Sequence, residues 1–224
     1  MAGGNAYFDL FFTLAAFAAG RALQSRWKRP LFNPILIAAV LVIAVLLITG
    51  IPVESYQESC VPLQYLLTPA TICFSISLYE QIGKLKKNLA AIAGGVVSGT
   101  IVSLLCVRFL CAAFHLERVF TVSLRPKSIT TAIGMSLSEE AGGIAALTTA
   151  AIVLTGILGN MFGPTLCKLF RIHDPIAQGV SFGTASHAIG TSKAAQMSGL
   201  TGAVGSLSLT LAGLVTVVLF SFLV

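Results

Sequence analysis

Two short stretches of this chain hold side chains of the kinds that bind anions and carry protons. Residues 182–194 read FGTASHAIGTSKA and place Thr184, Ser186, His187, Thr191, Ser192 and Lys193 among Gly and Ala. Residues 124–142 read LRPKSITTAIGMSLSEEAG and contain Lys127, Ser128, Thr130, Thr131, Glu139 and Glu140. Ammonium, imidazole and hydroxyl groups donate hydrogen bonds to a carboxylate, and an imidazole or a glutamate can exchange a proton. Pro126 stops a preceding helix, and the residues after it can start one. Ser128, Thr130 and Thr131 are then expected near a helix N-terminus, where free N–H groups and the dipole favour an anion. Lys127 adds positive charge there. In the other stretch Thr184 and Ser186 are expected to cap a helix and Gly183 to permit a break. His187, Thr191 and Lys193 supply further donors. These residues together make a cradle for a small carboxylate, with His187, Glu139 and Glu140 as candidates for coupling to protons. Each has a plainer alternative. Hydroxyls in membrane helices bond to backbone or to neighbouring helices. Lys127 can sit at the lipid headgroups, and Glu139 and Glu140 can line a wet mouth.

What must position these groups is a membrane scaffold. Of the 224 residues 56% are hydrophobic and only 10% charged, against about 25% charged in soluble domains. A membrane span takes about 20 apolar residues, and six candidates occur at 5–23, 33–51, 62–79, 89–112, 144–166 and 200–223. Pro69 interrupts the third. The polar stretches 124–142 and 176–198 are too polar to face lipid and too apolar for loops. Irregular backbone at membrane depth survives only inside protein or along a cavity, so both are read as re-entrant or broken helices. The expected fold is an all-α polytopic membrane protein of about six transmembrane helices plus two such segments. It forms one integral membrane domain over 1–224, with a four-helix part at 1–112 and two paired broken-helix/span units at 113–224.

Positive charge orients the chain. Arg21, Arg26, Lys28 and Arg29 fill the first connection, Lys84, Lys86 and Lys87 a second, and Lys168, Arg171 and Lys193 a third. Placing these connections in the cytoplasm accounts for ten of the 14 Lys and Arg residues and puts both termini outside. The first apolar run is read as a retained span, since no basic region or small-residue cleavage site accompanies it. The motif A-I-G-x-S recurs at Ala132 and Ala188, 56 positions apart. Each copy is followed by an apolar span. If those spans run in opposite directions, the two polar segments enter from opposite faces, which is the pattern of an inverted-topology repeat with its site at the midplane.

Several function classes find no support. His115, His173 and His187 are far apart and lack metal-ligand spacing. No G-x-S-x-G, P-loop or paired-carboxylate motif occurs, so no enzyme, metal or cofactor is expected. The net charge of +6 comes from short clusters beside apolar runs, which suit anionic lipid rather than nucleic acid. The five cysteines form no CxxC pair and read as small hydrophobes. Gly95/Gly99 and Gly159/Gly163 are GxxxG spacings that let helices approach closely. Asp174 and Pro175 read as an N-cap and first helical residue, and Asn160 and Pro164 are placed to kink the fifth span.

RPKSITTAIGMSLSEEAGGIAALTTAAIVLTGILGNMFGP (125–164) and RIHDPIAQGVSFGTASHAIGTSKA (171–194) resemble characteristic stretches of the LrgB/CidB family, and LLTPATICFSISLYEQ (66–81) resembles a third. The resemblance covers roughly residues 60–224. Thr68 stands where the family pattern usually has Gly. The resemblance implies a multi-pass protein of the bacterial cytoplasmic membrane that works with a small LrgA/CidA-like membrane protein. The family is described as holin/antiholin-like and as modulating murein hydrolase export and autolysis. Relatives are linked to pyruvate movement, and the plastid glycolate/glycerate transporter resembles a fusion of the two partners. The expected function is therefore transport of a small monocarboxylate, with holin/antiholin-like regulation as the alternative. The expected partners are the lipid bilayer, the LrgA/CidA-like protein, further copies of this chain and the carboxylate itself. The family carries no established catalytic residues to transfer.

Overall fold

The computed structural model describes residues 6–27, 32–66, 69, 72–73, 76 and 79–223. Among these residues there are eleven α-helices and no strand. The chain divides into two compact units, Met1–Cys73 and Phe74–Val224.

The first unit contains α1 (Ala6–Trp27), α2 (Pro34–Thr49), α3 (Val53–Ser59) and α4 (Val61–Tyr65). α2 starts where Asn33 accepts the Ile35 and Leu36 amides with Pro34 at the first position, and it ends at Gly50 with φ 66°. This is the expected proline-in, glycine-out grammar of a helix. α1 lies against α2 so closely that a side chain on Gly20 would meet the Pro34 backbone at 2.8 Å. Thr13 ties α1 to α3: its hydroxyl donates to the Asp9 carbonyl at 2.7 Å and lies 2.6 Å from the Tyr56 hydroxyl. With the Thr13 hydrogen already used, Tyr56 is the donor of the second bond. Burial pushes the Tyr56 phenol above its ordinary value, which keeps it protonated and able to donate. The first expected span is thus a helix, and the second is a shorter apolar one, Pro34–Thr49. The third, at 62–79, is represented by α4 and isolated positions, and the rest of it lies outside the described residues, as do Lys28 and Arg29.

The second unit contains α5 (Ile82–Lys87), α6 (Leu89–Ala113), α7 (Arg118–Leu124), α8 (Thr131–Glu140), α9 (Ala145–Leu169), α10 (Pro175–Met197) and α11 (Gly199–Leu223). Among the described residues, α6, α9 and α11 are the three helices long and apolar enough to cross a membrane. At 25 residues each they are about 37 Å long, against a hydrocarbon core of about 30 Å. α9 runs unbroken through Pro164. An apolar core of Leu85, Ile92, Val96, Ala203, Val204 and Ala212 joins α5 and α6 to α11.

α10 is two arms rather than one rod. Backbone torsions leave the helical region at Ser186 (φ −132°, ψ 18°) and His187 (φ 41°, ψ −142°). A side chain at Gly190 would come within 2.9 Å of the Phe182 carbonyl, whereas eight residues of straight helix would separate them by about 12 Å. The chain therefore doubles back. The break falls at Ser186–His187 and not at Gly183, the position expected from sequence. Gly183 instead lets the outgoing arm press on the Gly205 carbonyl of α11. Neighbour pairs fix the directions. Gly179 faces Val204 and Gly183 faces Ser208, so the outgoing arm is parallel to α11. Gly205 faces Thr191 and Gly202 faces Ala195, so the returning arm is antiparallel to it.

The same plan appears 56 positions earlier. α7 and α8 form a hairpin whose turn holds Pro126, and Gly134 of α8 faces the Pro126 carbonyl as Gly190 faces that of Phe182. α8 runs antiparallel to α9, with the Thr148 hydroxyl donating to the Ser138 hydroxyl at 2.7 Å and Gly134 against Ile152. Facing pairs Gly159/Ser186 and Gly163/Phe182 make α9 antiparallel to the outgoing arm of α10, and hence to α11. The first hairpin consequently enters from the end where α6 finishes, and the second from the end where α6 begins.

Candidate functional site

Both hairpin turns reach the middle of α6. The Ser128 hydroxyl of the first lies 3.4 Å from the Ser103 hydroxyl. Thr184 of the second sits on Gly99, where an added side chain would meet its methyl at 3.1 Å. Gly99 and Ser103 are one helical turn apart, midway along α6. The outgoing arm of the second hairpin spans 175–185, or about 16 Å of helix, which is half the hydrocarbon thickness. Small residues make this approach possible: Gly95 admits Val180 and Gly99 admits Thr184.

A narrow cleft lies between the turns, with a cavity volume of about 10 Å³, room for about one water. Thr100 and Ser103 of α6, Arg125 and Ser128 of the first hairpin, Thr184 of the second and Thr216 of α11 line it. Arg125 is only 6% exposed. Lys127 donates from Nζ to the Ser128 hydroxyl at 3.1 Å, which links a second cation to the cavity wall. The Thr100 and Thr184 hydroxyls are buried without a hydrogen-bond partner. Leaving a buried polar group unmet costs about 1–3 kcal/mol, a cost that an oxygen-bearing ligand would offset. The chemistry on offer is guanidinium, ammonium and neutral hydroxyls at the depth of a span's midpoint, which suits a small anion. A second crevice, between α9 and the outgoing arm of α10, is apolar, with Gly163, Leu166, Phe170 and Phe182 on its walls.

The sequence-derived candidates divide. Ser128 and Thr184 share the cavity and Lys127 adjoins it. Thr130 precedes the first residue of α8 and is exposed, and Thr131 begins the helix half-buried. Thr184 does not cap, since its hydroxyl makes no bond. Ser186 is buried against Gly159. Thr191 donates to the His187 carbonyl at 2.9 Å within its own arm. His187 is 4% exposed, and its Nε2 lies 2.8 Å from the Ile152 carbonyl of α9. A carbonyl only accepts, so Nε2 carries the hydrogen. Lys193 bonds Gln196 at 3.3 Å, and Glu139 and Glu140 are exposed at the end of α8. Asp174 caps α10 as expected, accepting the Ile176 and Ala177 amides at 2.9 and 2.8 Å. Sequence reasoning missed Arg125, Thr100, Ser103 and Thr216. Arg125 carried a usable signal, because it directly precedes Pro126 in a turn between apolar runs. The hydroxyls of α6 and α11 carried none.

The LrgB-like family model matches residues 13–224. The chain belongs to the LrgB-like family. It is 36% identical over 213 residues to the antiholin-like protein LrgB of Bacillus mycoides (strain KBAB4), covering 95% of this chain and 93% of that one. It is 33% identical over 215 residues to the holin-like protein CidB of Staphylococcus aureus (strain Mu50), covering 96% and 94%. It is 34% identical over 215 residues to the uncharacterized protein YwbG of Bacillus subtilis (strain 168), covering 96% of each. No solved structure matches the chain. Membership agrees with the resemblance drawn from the three quoted stretches.

Proposed function

We propose that this LrgB-like protein carries a small monocarboxylate across the bacterial cytoplasmic membrane, acting with an LrgA-like partner. The observation that carries the reading is the meeting of two hairpin turns at the centre of α6, around buried Arg125, Ser128 and Thr184. Charged and polar groups in hydrocarbon are costly, and they persist where they bind a solute or ion. The opposite entry of the hairpins and the antiparallel run of α9 and α11 support an inverted-topology repeat, an arrangement that puts a substrate between broken helices at the midplane. In this reading the two turns part to admit the carboxylate, which then lies against Arg125 and Lys127 with its oxygens met by the Thr100 and Thr184 hydroxyls.

The test is uptake of labelled pyruvate or glycolate into proteoliposomes. Saturable uptake that Lys127→Ala and Arg125→Ala abolish supports transport. The second reading, a holin- or antiholin-like regulator of permeability, is favoured by the names of the relatives. Release of an encapsulated dye, unaffected by those two substitutions and without saturable uptake, would favour that reading instead.

A further inference from the structure

We propose that His187 is a positioning residue, whose imidazole fastens the turn of the second hairpin to α9 and so sets Thr184 on the cavity wall. The role assigned to that wall rests on the transport reading above, whereas the fastening itself does not. Four observations converge. His187 adopts φ 41°, a backbone conformation that an L-residue holds only when its surroundings enforce it. Its Nε2–H reaches the Ile152 carbonyl at 2.8 Å, in the first third of α9. The ring fills the space over Gly156, where any side chain would collide with it. α9 also grips the returning arm from the other direction, since Asn160 donates from Nδ2 to the Ile189 carbonyl at 3.0 Å. The returning side of the break is thus tied to α9 twice, by one bond given at His187 and one received at Ile189.

This assignment differs from a substrate contact or a proton carrier. The His187 ring is not part of the cavity lining, and its Nε2 is committed to a backbone carbonyl. Thr184 lies two residues before the break at Ser186, so holding the turn in place holds the end of the arm that carries its hydroxyl. The first hairpin has no counterpart. Its turn contains Pro126, and the position equivalent to His187 is Thr131, at the start of α8.

The experiment uses the full-length protein in lipid nanodiscs and follows amide hydrogen exchange in peptides from 175–197 and 118–140. His187→Ala is expected to accelerate exchange around 186–191 at least tenfold and to leave 131–140 unchanged. His187→Gln, whose side-chain amide reaches the same carbonyl, is expected to restore protection and at least half of the pyruvate uptake. Gly156→Ala, which displaces the ring without removing it, should loosen the same segment and serves if His187→Ala fails to fold. Unchanged exchange in both His187→Ala and Gly156→Ala would overturn the proposal. So would a His187→Gln protein that keeps full protection yet loses uptake as completely as His187→Ala, since the ring would then act on substrate or proton directly. If the unmodified protein takes up no pyruvate, the transport reading fails, and the exchange data still decide the fastening.

Discussion

In the first hairpin the chain reverses through residues 125–130, a turn that contains Pro126 and separates two distinct helices. In the second it reverses between Ser186 and His187, with neither proline nor glycine at the break. The two reversals occupy corresponding places, and both are followed by A-I-G-x-S on the returning arm. One is written in local chemistry, because proline removes a donor and clashes with a continuing helix. The other is imposed by neighbours, through the His187 bond to α9 and the Asn160 bond back. A shared hairpin can therefore be enforced by different levels of structure, and the level decides which substitutions damage it.

The comparison can be broken most strongly at its shared glycines. A side chain at Gly190 meets backbone, the Phe182 carbonyl at 2.9 Å, as well as the Cβ of Ser186. At Gly134 the nearest atom is the mobile end of Ile152 at 2.7 Å, with the Pro126 carbonyl at 3.3 Å. Gly190→Ala should cost about 2–3 kcal/mol and Gly134→Ala about 1 kcal/mol, read from thermal unfolding in detergent. Equal losses would mean that the second hairpin yields as easily as the first.

The next effect separates what each turn gives the cavity. The first brings Arg125 and Lys127, and the second the neutral Thr184. Charge-assisted hydrogen bonds are roughly twice as strong as neutral ones. Lys127→Ala and Arg125→Ala should each lower carboxylate uptake more than about tenfold, and Thr184→Val by roughly threefold, each tenfold being about 1.4 kcal/mol. A greater loss from Thr184→Val would invert the assignment.

Smaller again is a pairing present in only one hairpin. The Thr148 hydroxyl donates to Ser138 at 2.7 Å, and 56 positions later Val204 and Ala194 replace that bond with apolar side chains. Thr148→Val should cost about 1 kcal/mol by leaving Ser138 unmet, whereas Val204→Thr would introduce a hydroxyl with no hydroxyl opposite it. The last effect has the opposite sign. The Thr184 hydroxyl is buried without a partner, so Thr184→Val should stabilise the fold, by about 1 kcal/mol, although uptake falls. That separation marks a residue kept for binding rather than for packing.

Much of the second unit is legible in the sequence. The spans at 89–112, 144–166 and 200–223 correspond to α6, α9 and α11, because long apolar runs have few other fates. Asp174–Pro175 began α10 and the GxxxG pairs marked close helix contacts, since capping and glycine packing act over one or two turns. The candidate site was less legible. Ser128 and Thr184 were singled out and line one cavity, but His187, Thr191 and Lys193 found partners elsewhere. Arg125 is not among the candidates and is buried. Thr100 and Thr216 lie inside apolar helices, where the sequence shows that a hydroxyl exists and not which way it faces.

Composition and pattern alone determined that this is a helical membrane protein, where its long spans lie, and that two polar segments interrupt them. Those properties follow from local hydropathy and backbone chemistry. Tertiary structure decided where the second segment breaks, which hydroxyls face one another and which cation is enclosed. The physical reason is that a helix presents a different side chain every 100°, so which of them converge depends on the rotation and depth of several helices at once. That information is shared between distant parts of the chain and is written in no single stretch.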